Sequence, residues 1–401
     1  METRPDPFIR YEYPKLLDES RAAAAQLLSV PTDTVVFVSN CSTGVSTVLH
    51  NMQWDDDCKD EILYFNTIYS ACGKTVDYVV ESRYERVSSR CIDLTSPCED
   101  DEIVSAFSSA VEASKQAGKR PKLCIFDVVS SLPGMRFPFE AMTAACRAAG
   151  ILSLVDGAHG IGMVDLDLGK LDPDFFITNC HKWLHVPRGC AVFYVPFRNQ
   201  ELIRTTLPTS HGYVPRLVKR NNPFGPTKKS TFVYNFEFAG TKDSNPFLCV
   251  KDAIQWRKDV LGGEERIRNY QRKLALDGGK RVAEILGTEI LQNKAGTLTD
   301  CSMVNVALPL SIGPNPEQNS ATGKEQNAQA FPVIPFEEIG AMCQWLERTL
   351  VSDYDTYLPV YLFNNRFWTR LSAQVYLEQD DFEWAGHTLK ELCERASANA
   401  N

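Results

Sequence analysis

Up to about Val250 the chain repeats one pattern, a short apolar β-branched run followed by a longer stretch of helical periodicity. The runs fall at Thr34–Val38, Glu61–Phe65, Lys122–Asp127, Leu152–Asp156, Phe175–Thr178 and Ala191–Val195. A strand that is apolar at successive positions has both faces buried. Such runs alternating with helices therefore predict an α/β fold with a mostly parallel sheet covered on both sides. Expected helices include Asp18–Leu28, Asp101–Ala117 and Pro138–Ala149.

Beyond Val250 the texture changes. Lys251 to Leu286 reads as a long amphipathic helix interrupted near Gly262-Gly263. Residues 311–330 are polar and rich in Gly, Pro, Asn and Gln, the composition of a mobile surface loop. Strand-like Tyr357–Phe363 and Thr369–Tyr376 precede a last helix near Asp381–Ala396. With 401 residues, too many for one simple core, two domains are expected: a large one over 1–255 and a smaller C-terminal α+β lobe over 256–401. No internal repeat is visible.

A formal charge of −9 without a compensating basic run argues against nucleic acid or an anionic membrane as partner. No stretch reaches the roughly 20 apolar residues of a membrane span, and the N-terminus shows neither a secretory nor a transit pattern. The 13 cysteines are scattered, with no CxxC pair, and read as reduced thiols of a cytoplasmic protein. The six histidines do not cluster with them, so no metal site is expected.

Two strand ends carry unusual chemistry. Leu154-Val155-Asp156-Gly157-Ala158-His159 runs from an apolar strand into a carboxylate, at the sheet edge where α/β proteins bind ligands. Taken alone, Asp156 could equally cap the next helix. Phe175-Phe176-Ile177-Thr178-Asn179-Cys180-His181-Lys182 carries an apolar strand into a lysine. Desolvation there frees an amine for imine chemistry, although an isolated lysine would more often snorkel to solvent. The pair changes the balance. Separated by about one strand–connection–strand unit, the two supply what pyridoxal phosphate (PLP) needs: an amine for a Schiff base and a carboxylate for the pyridine nitrogen. A third run, Val35 to Val45, turns from a strand through Ser42-Thr43-Gly44 into a helix, a setting suited to a phosphate, though Ser/Thr caps are common.

On these residues the chain resembles the fold-type I PLP enzymes of the aminotransferase class V family, near the cysteine desulfurases and isopenicillin N epimerase-like proteins and with fungal members among them. The similarity is strongest over Phe175–Gly189 (FFITNCHKWLHVPRG) and Arg366–Leu377 (RFWTRLSAQVYL) and looser over Lys59–Phe65. It implies a Schiff base on Lys182, Asp156 at the pyridinium nitrogen and His159 beside the cofactor's phenolic oxygen. It implies phosphate contacts from Ser42, Thr43, Asn179 and His181, and an aromatic Tyr69 over the ring. It further implies a homodimer in which Gly240-Thr241 reaches the partner's phosphate, and Arg370 gripping the substrate α-carboxylate, a task suited to a forked guanidinium. His211 is a candidate for a substrate loop. His50, His185 and His387 read as structural. Relatives carry further residues before the point where this chain starts, including an Asn-His-Gly-Ser-type stretch, so the resemblance bears on the cofactor more than on substrate choice.

The activity so implied is β-elimination from a cysteine-derived amino acid or sulfoxide conjugate, with Lys182 moving the α-proton and Tyr69 protonating the leaving sulfur. Related possibilities are persulfide transfer through Cys343 or Cys393, and epimerisation, decarboxylation or cyclisation in a secondary-metabolite pathway of the loline-alkaloid kind. An inactive scaffold is a reading of another class, which the Lys182–Asp156–Arg370 set opposes.

Overall fold

The computed structural model describes residues 3–84, 86–95, 97–314 and 331–399. By contact the chain forms two compact units. One comprises Met1–Leu94, Asp100–Ser130 and Phe137–Ile267, the other Thr95–Glu99, Ser131–Arg136 and Arg268–Asn401. Two short segments from the N-terminal half thus belong to the second unit.

The first unit is built on seven strands: β1 (Val35–Val38), β2 (Asp60–Phe65), β3 (Val87–Ile92), β4 (Arg120–Asp127), β5 (Leu152–Asp156), β6 (Phe175–Asn179) and β7 (Ala191–Tyr194). Their order is β1-β7-β6-β5-β4-β2-β3. The pairs from β3 through β6 are parallel, and β7 runs antiparallel to both β6 and β1. Because β1 is reversed twice relative to β6, the carboxyl ends of β1, β2, β4, β5 and β6 all reach one rim. The expected mostly parallel sheet is present, and its strands β1, β6 and β7 are buried at every position. Val36, Val38, Ile62, Leu154, Ile177 and Phe193 join helix residues such as Val45, Val48 and Val76 in one core.

Strand β3 has no counterpart among the sequence expectations, for a physical reason. Val-Ser-Ser-Arg-Cys-Ile is the sheet's edge strand, buried only at its two ends, and shows no apolar run. Helix Tyr13–Leu27 starts five residues before its expected boundary, with Pro14 in its first turn.

In the second unit β8 (Met303–Ala307), β11 (Val360–Phe363) and β12 (Arg366–Ser372) form a three-stranded antiparallel sheet ordered β11-β12-β8. Two further strands, β9 (Ser311–Ile312) and β10 (Val333–Ile334), pair in parallel. The polar segment expected to be loop from Ser311 therefore begins as a strand, because Ser311 and Gly313 N–H groups bond to the carbonyls of Pro332 and Ile334. Residues 315–330 of that expectation lie outside the described residues. Helices Ile339–Tyr354 and Gln379–Asn399 cover a core of Val304, Leu346, Leu350, Phe367 and Leu389.

Helices Val250–Asp259 and Glu264–Leu286 flank Gly262-Gly263, both at positive φ, where only glycine turns without strain. Among the described residues no helix is long and apolar enough to cross a membrane. All 13 cysteines are free.

Candidate active site

Asp156 is the last residue of β5 and is 3% exposed. Its Oδ1 accepts the Ala158 N–H at 2.9 Å, and its Oδ2 accepts the Cys72 thiol at 3.5 Å. In register beside it, at the end of β4, stands a second buried carboxylate, Asp127. Register partners on parallel strands share a face. Burial raises the Asp156 pKa, opposed by the Ala158 N–H and the Lys182 charge. Asp127 is also pushed up, by burial first and then by the Asp156 charge. Buried thiols crowd the same spot: burial and Asp156 hold both Cys41 and Cys72 well above the ordinary thiol range.

Strand β6 ends in the four-residue helix Cys180–Trp183, which carries Lys182. Its Nζ lies 2.9 Å from His159 Nε2, and Trp183 Nε1 donates to His159 Nδ1 at 3.0 Å. An indole N–H can only donate. Nδ1 is therefore the acceptor in that contact, and Nε2 is the ring nitrogen that faces Lys182. His159 is 6% exposed.

The structure brings the β1 turn to the same rim. Helix Cys41–Asn51 begins here, with Asn40 as its cap. Asn40 Oδ1 accepts from the Thr43 N–H at 2.8 Å and the Thr43 hydroxyl at 3.1 Å, while Asn179 Oδ1 accepts the Cys41 N–H at 3.0 Å. Asn179 thus ties the helix start to β6, and the Ser42 N–H is the first-turn donor left for an anion. Close contact is possible because position 44 is glycine: a Cβ there would stand 2.6 Å from Ile177 Cγ1. His181 donates through Nδ1 to the Cys190 carbonyl at 2.9 Å, and burial, Lys182 and Arg188 lower its pKa. A phosphate contact through its Nε2 would require the imidazolium.

Three expected residues of the first unit are not part of this buried cluster. Tyr69 precedes helix Ser70–Ser82, which carries Cys72, and is 49% exposed. Thr241 lies in an exposed bend. The neighbouring Lys242 reaches Ser39 Oγ at 3.4 Å, next to the β1 turn. His211 packs against Phe224 at 5.5 Å in a cavity of about 250 Å³ lined by Arg10, Tyr13 and Lys229 but not by Asp156, His159 or Lys182.

Arg370, on β12, belongs to the second unit. Its Nη1 donates to the Ser131 carbonyl at 2.8 Å, its Nε is buried without a partner, and no carboxylate pairs with it among the described residues. Burial lowers its pKa, so an incoming carboxylate would relieve a standing cost. Cys343 and Cys393 lie in helices Ile339–Tyr354 and Gln379–Asn399, and burial pushes their thiols up to about 11 and about 12. Neither has the setting of a sulfur-transfer nucleophile.

Four residues of the cluster escaped the sequence reading. Asp127 ends an apolar run as Asp156 does, so the same strand-end argument would have found it. Cys41, Cys72 and Trp183 carry no signal, because only tertiary packing brings them to Asp156 and His159.

A family model described as Aminotransferase class-V matches residues 10–310, and the chain belongs to that family. It is 36% identical to the L-cysteine desulfhydrase-like protein lolT1 of Epichloe uncinata, over 98% of this chain and 87% of that protein. It is 31% identical to the hercynylcysteine sulfoxide lyase of Schizosaccharomyces pombe, over 98% of this chain and 88% of that protein. Its fold matches a solved mutant of C-DES with glycine covalently linked to the PLP cofactor, at TM-score 0.69 and 18% identity over 95% and 86% of the two chains. The chain is a PLP-dependent enzyme of α/β fold type I. The residues at the rim fit that cofactor: a buried carboxylate pair with no ion pair of its own among the described residues, a lysine facing a histidine, and an open N–H at a helix start.

Proposed function

We propose that the protein is a PLP-dependent C–S lyase that cleaves the Cβ–S bond of a cysteine-derived amino acid or sulfoxide conjugate, releasing pyruvate, ammonia and a sulfur product. The observation that carries the reading is the Lys182–His159–Trp183 chain standing on the same rim as Asp156. The relatives named as a desulfhydrase-like protein and a sulfoxide lyase support the choice of bond.

When bound, PLP supplies an electron-withdrawing ring that takes up the charge released at the substrate's Cα. In this reading Lys182 Nζ binds the cofactor and moves the Cα proton, while His159 holds Nζ in place. Asp156 keeps the ring nitrogen protonated, and the Ser42 N–H, Thr43, Asn179 and His181 form the phosphate cup. Tyr69 protonates the leaving sulfur, Arg370 binds the α-carboxylate, and His211 belongs to a substrate loop. The enzyme works as a cytoplasmic homodimer with the partner's Thr241 completing the cup.

The test is a panel of cysteine conjugates and their sulfoxides, following pyruvate and the sulfur product. Stoichiometric pyruvate that disappears in Lys182→Ala is expected. Exchange of the α-proton without pyruvate would instead make the protein an epimerase, and turnover surviving in Lys182→Ala would overturn the assignment of that residue.

A further inference from the structure

The geometry points to a second anion site, separate from the cofactor's. A cavity of about 550 Å³ opens at the C-terminal end of helix Cys41–Asn51, walled by His50, Trp54, Arg83, Arg86, Arg204 and Tyr213. The phosphate cup lies at the other end of that helix, roughly 16 Å away for 11 residues at 1.5 Å each. None of Ser42, Asp156 or Lys182 lines the cavity.

Three guanidiniums converge on this cavity and, among the described residues, no carboxylate lines it, in a chain whose formal charge is −9. Arg83 donates to the His50 carbonyl at 3.4 Å, which caps the helix and occupies one guanidinium. Arg204 stands 6.0 Å from the Tyr213 ring centroid and has no ion pair among the described residues. Arg86 pairs with Asp56 at 3.0 Å, but both are more than half exposed, so that pair is weak.

The wall is also built in advance. Asn51 Oδ1 accepts the N–H groups of Arg204 at 2.9 Å and Thr205 at 3.0 Å. Its Nδ2 donates to the carbonyls of Thr47 and Thr205, both at 2.8 Å. Arg204 is thereby presented from backbone fixed to the helix, which lowers the ordering cost of binding. Like charges gathered on a fixed concave surface are stabilised by a multiply charged oxyanion, and guanidinium forks suit phosphate and carboxylate oxygens. The volume is that of a small-molecule site. The ligand class is a small polyanion, either a phosphate-bearing molecule or a polycarboxylate.

The experiment uses the holoenzyme, with PLP filling the cup, titrated with pyrophosphate and with citrate by calorimetry at low ionic strength. Saturable binding of one molecule per chain is expected, weakened about tenfold in Arg83→Gln and in Arg204→Gln and falling with added salt. The tighter of the two probes identifies the phosphate or the polycarboxylate source. Unchanged cofactor absorption and lyase turnover in both variants show that the fold and the first site are intact. Should Arg204→Gln misfold, Arg204→Lys keeps the charge but loses the fork, and it too should bind less tightly. The proposal is overturned if neither probe saturates by about 10 mM, or if both substitutions leave the affinity unchanged.

Discussion

Asp156 is held by a thiol, an uncommon donor for so important a carboxylate. The Cys72 Sγ–Oδ2 contact of 3.5 Å is long and soft, and its value lies in being the partner on the side away from the Ala158 N–H. Cys72→Ala should leave the fold intact but loosen the hold on Asp156, which the Cys41 thiol also contacts, shifting the pH at which the bound cofactor's absorption band changes; Cys72→Ser should restore it. A band that titrates identically in all three proteins would remove Cys72 from the site. Asp127 makes a sharper prediction. Its folded-state pKa is raised, so the folded protein keeps a proton that the unfolded chain releases near pH 4. Stability from this group is whole below that pH and is lost as pH rises toward the folded value. The slope is at most about 1.4 kcal/mol per pH unit. Asp127→Asn removes the slope. Denaturant titrations of the cofactor-free proteins should show the variant gaining on wild type as pH rises from about 5 to 8, with the two converging near pH 4. A gap that widens toward acid would contradict the assignment.

Among the elements, the short helix that carries Lys182 is too small to hold itself in place. Arg257, fully buried on helix Val250–Asp259, does so from outside. It donates to the Trp183 carbonyl at 2.7 Å, to His185 Nδ1 at 2.9 Å and to the Gly162 carbonyl at 3.1 Å, and pairs with both oxygens of Glu264 at 2.6 and 2.7 Å. Gly162 is required there, since its φ is +81° and a Cβ would stand 2.6 Å from the Trp183 oxygen. Burial and Arg257 hold His185 down to about 4, so it stays a neutral acceptor across the physiological range. Arg257→Met leaves Glu264 uncompensated and should cost about 3–5 kcal/mol in denaturant unfolding; the double variant with Glu264→Leu should recover much of it. This brace was not legible in the sequence, where Arg257 is one charge on an amphipathic helix. What was legible follows a physical divide. Strands β1, β5 and β6 are buried on both faces and write themselves as apolar runs, so their ends, and with them Asp156 and Lys182, could be located. Strand β3 is a polar edge and β9 a two-residue pairing, and neither leaves a run to read. Contacts made across the fold, such as Cys72 to Asp156 or Trp183 to His159, depend on packing that no local spacing encodes.

For the whole molecule, the exposed residues bear on whether one chain makes one site. The exposed bend at Gly240-Thr241 and the half-exposed Tyr69 leave two expected cofactor contacts short of the buried cluster, while the turn at Ser42 keeps only one open N–H. In the proposed cup of Ser42, Thr43, Asn179 and His181, a hydroxyl from a second copy would add a charge-assisted hydrogen bond to a bound dianion. If Thr241 acts across a two-fold interface, Lys182→Ala and Thr241→Ala defects belong to different sites. Each dimer of Lys182→Ala is dead, and each dimer of Thr241→Ala binds PLP about tenfold more weakly. In a mixed dimer, however, one site carries both substitutions and the other carries neither. Unfolding the two variants together and refolding them should make half of the dimers mixed, so that at limiting PLP about a quarter of the wild-type turnover returns. Turnover no greater than the average of the separately refolded variants would place Thr241 in its own chain's site, or in none.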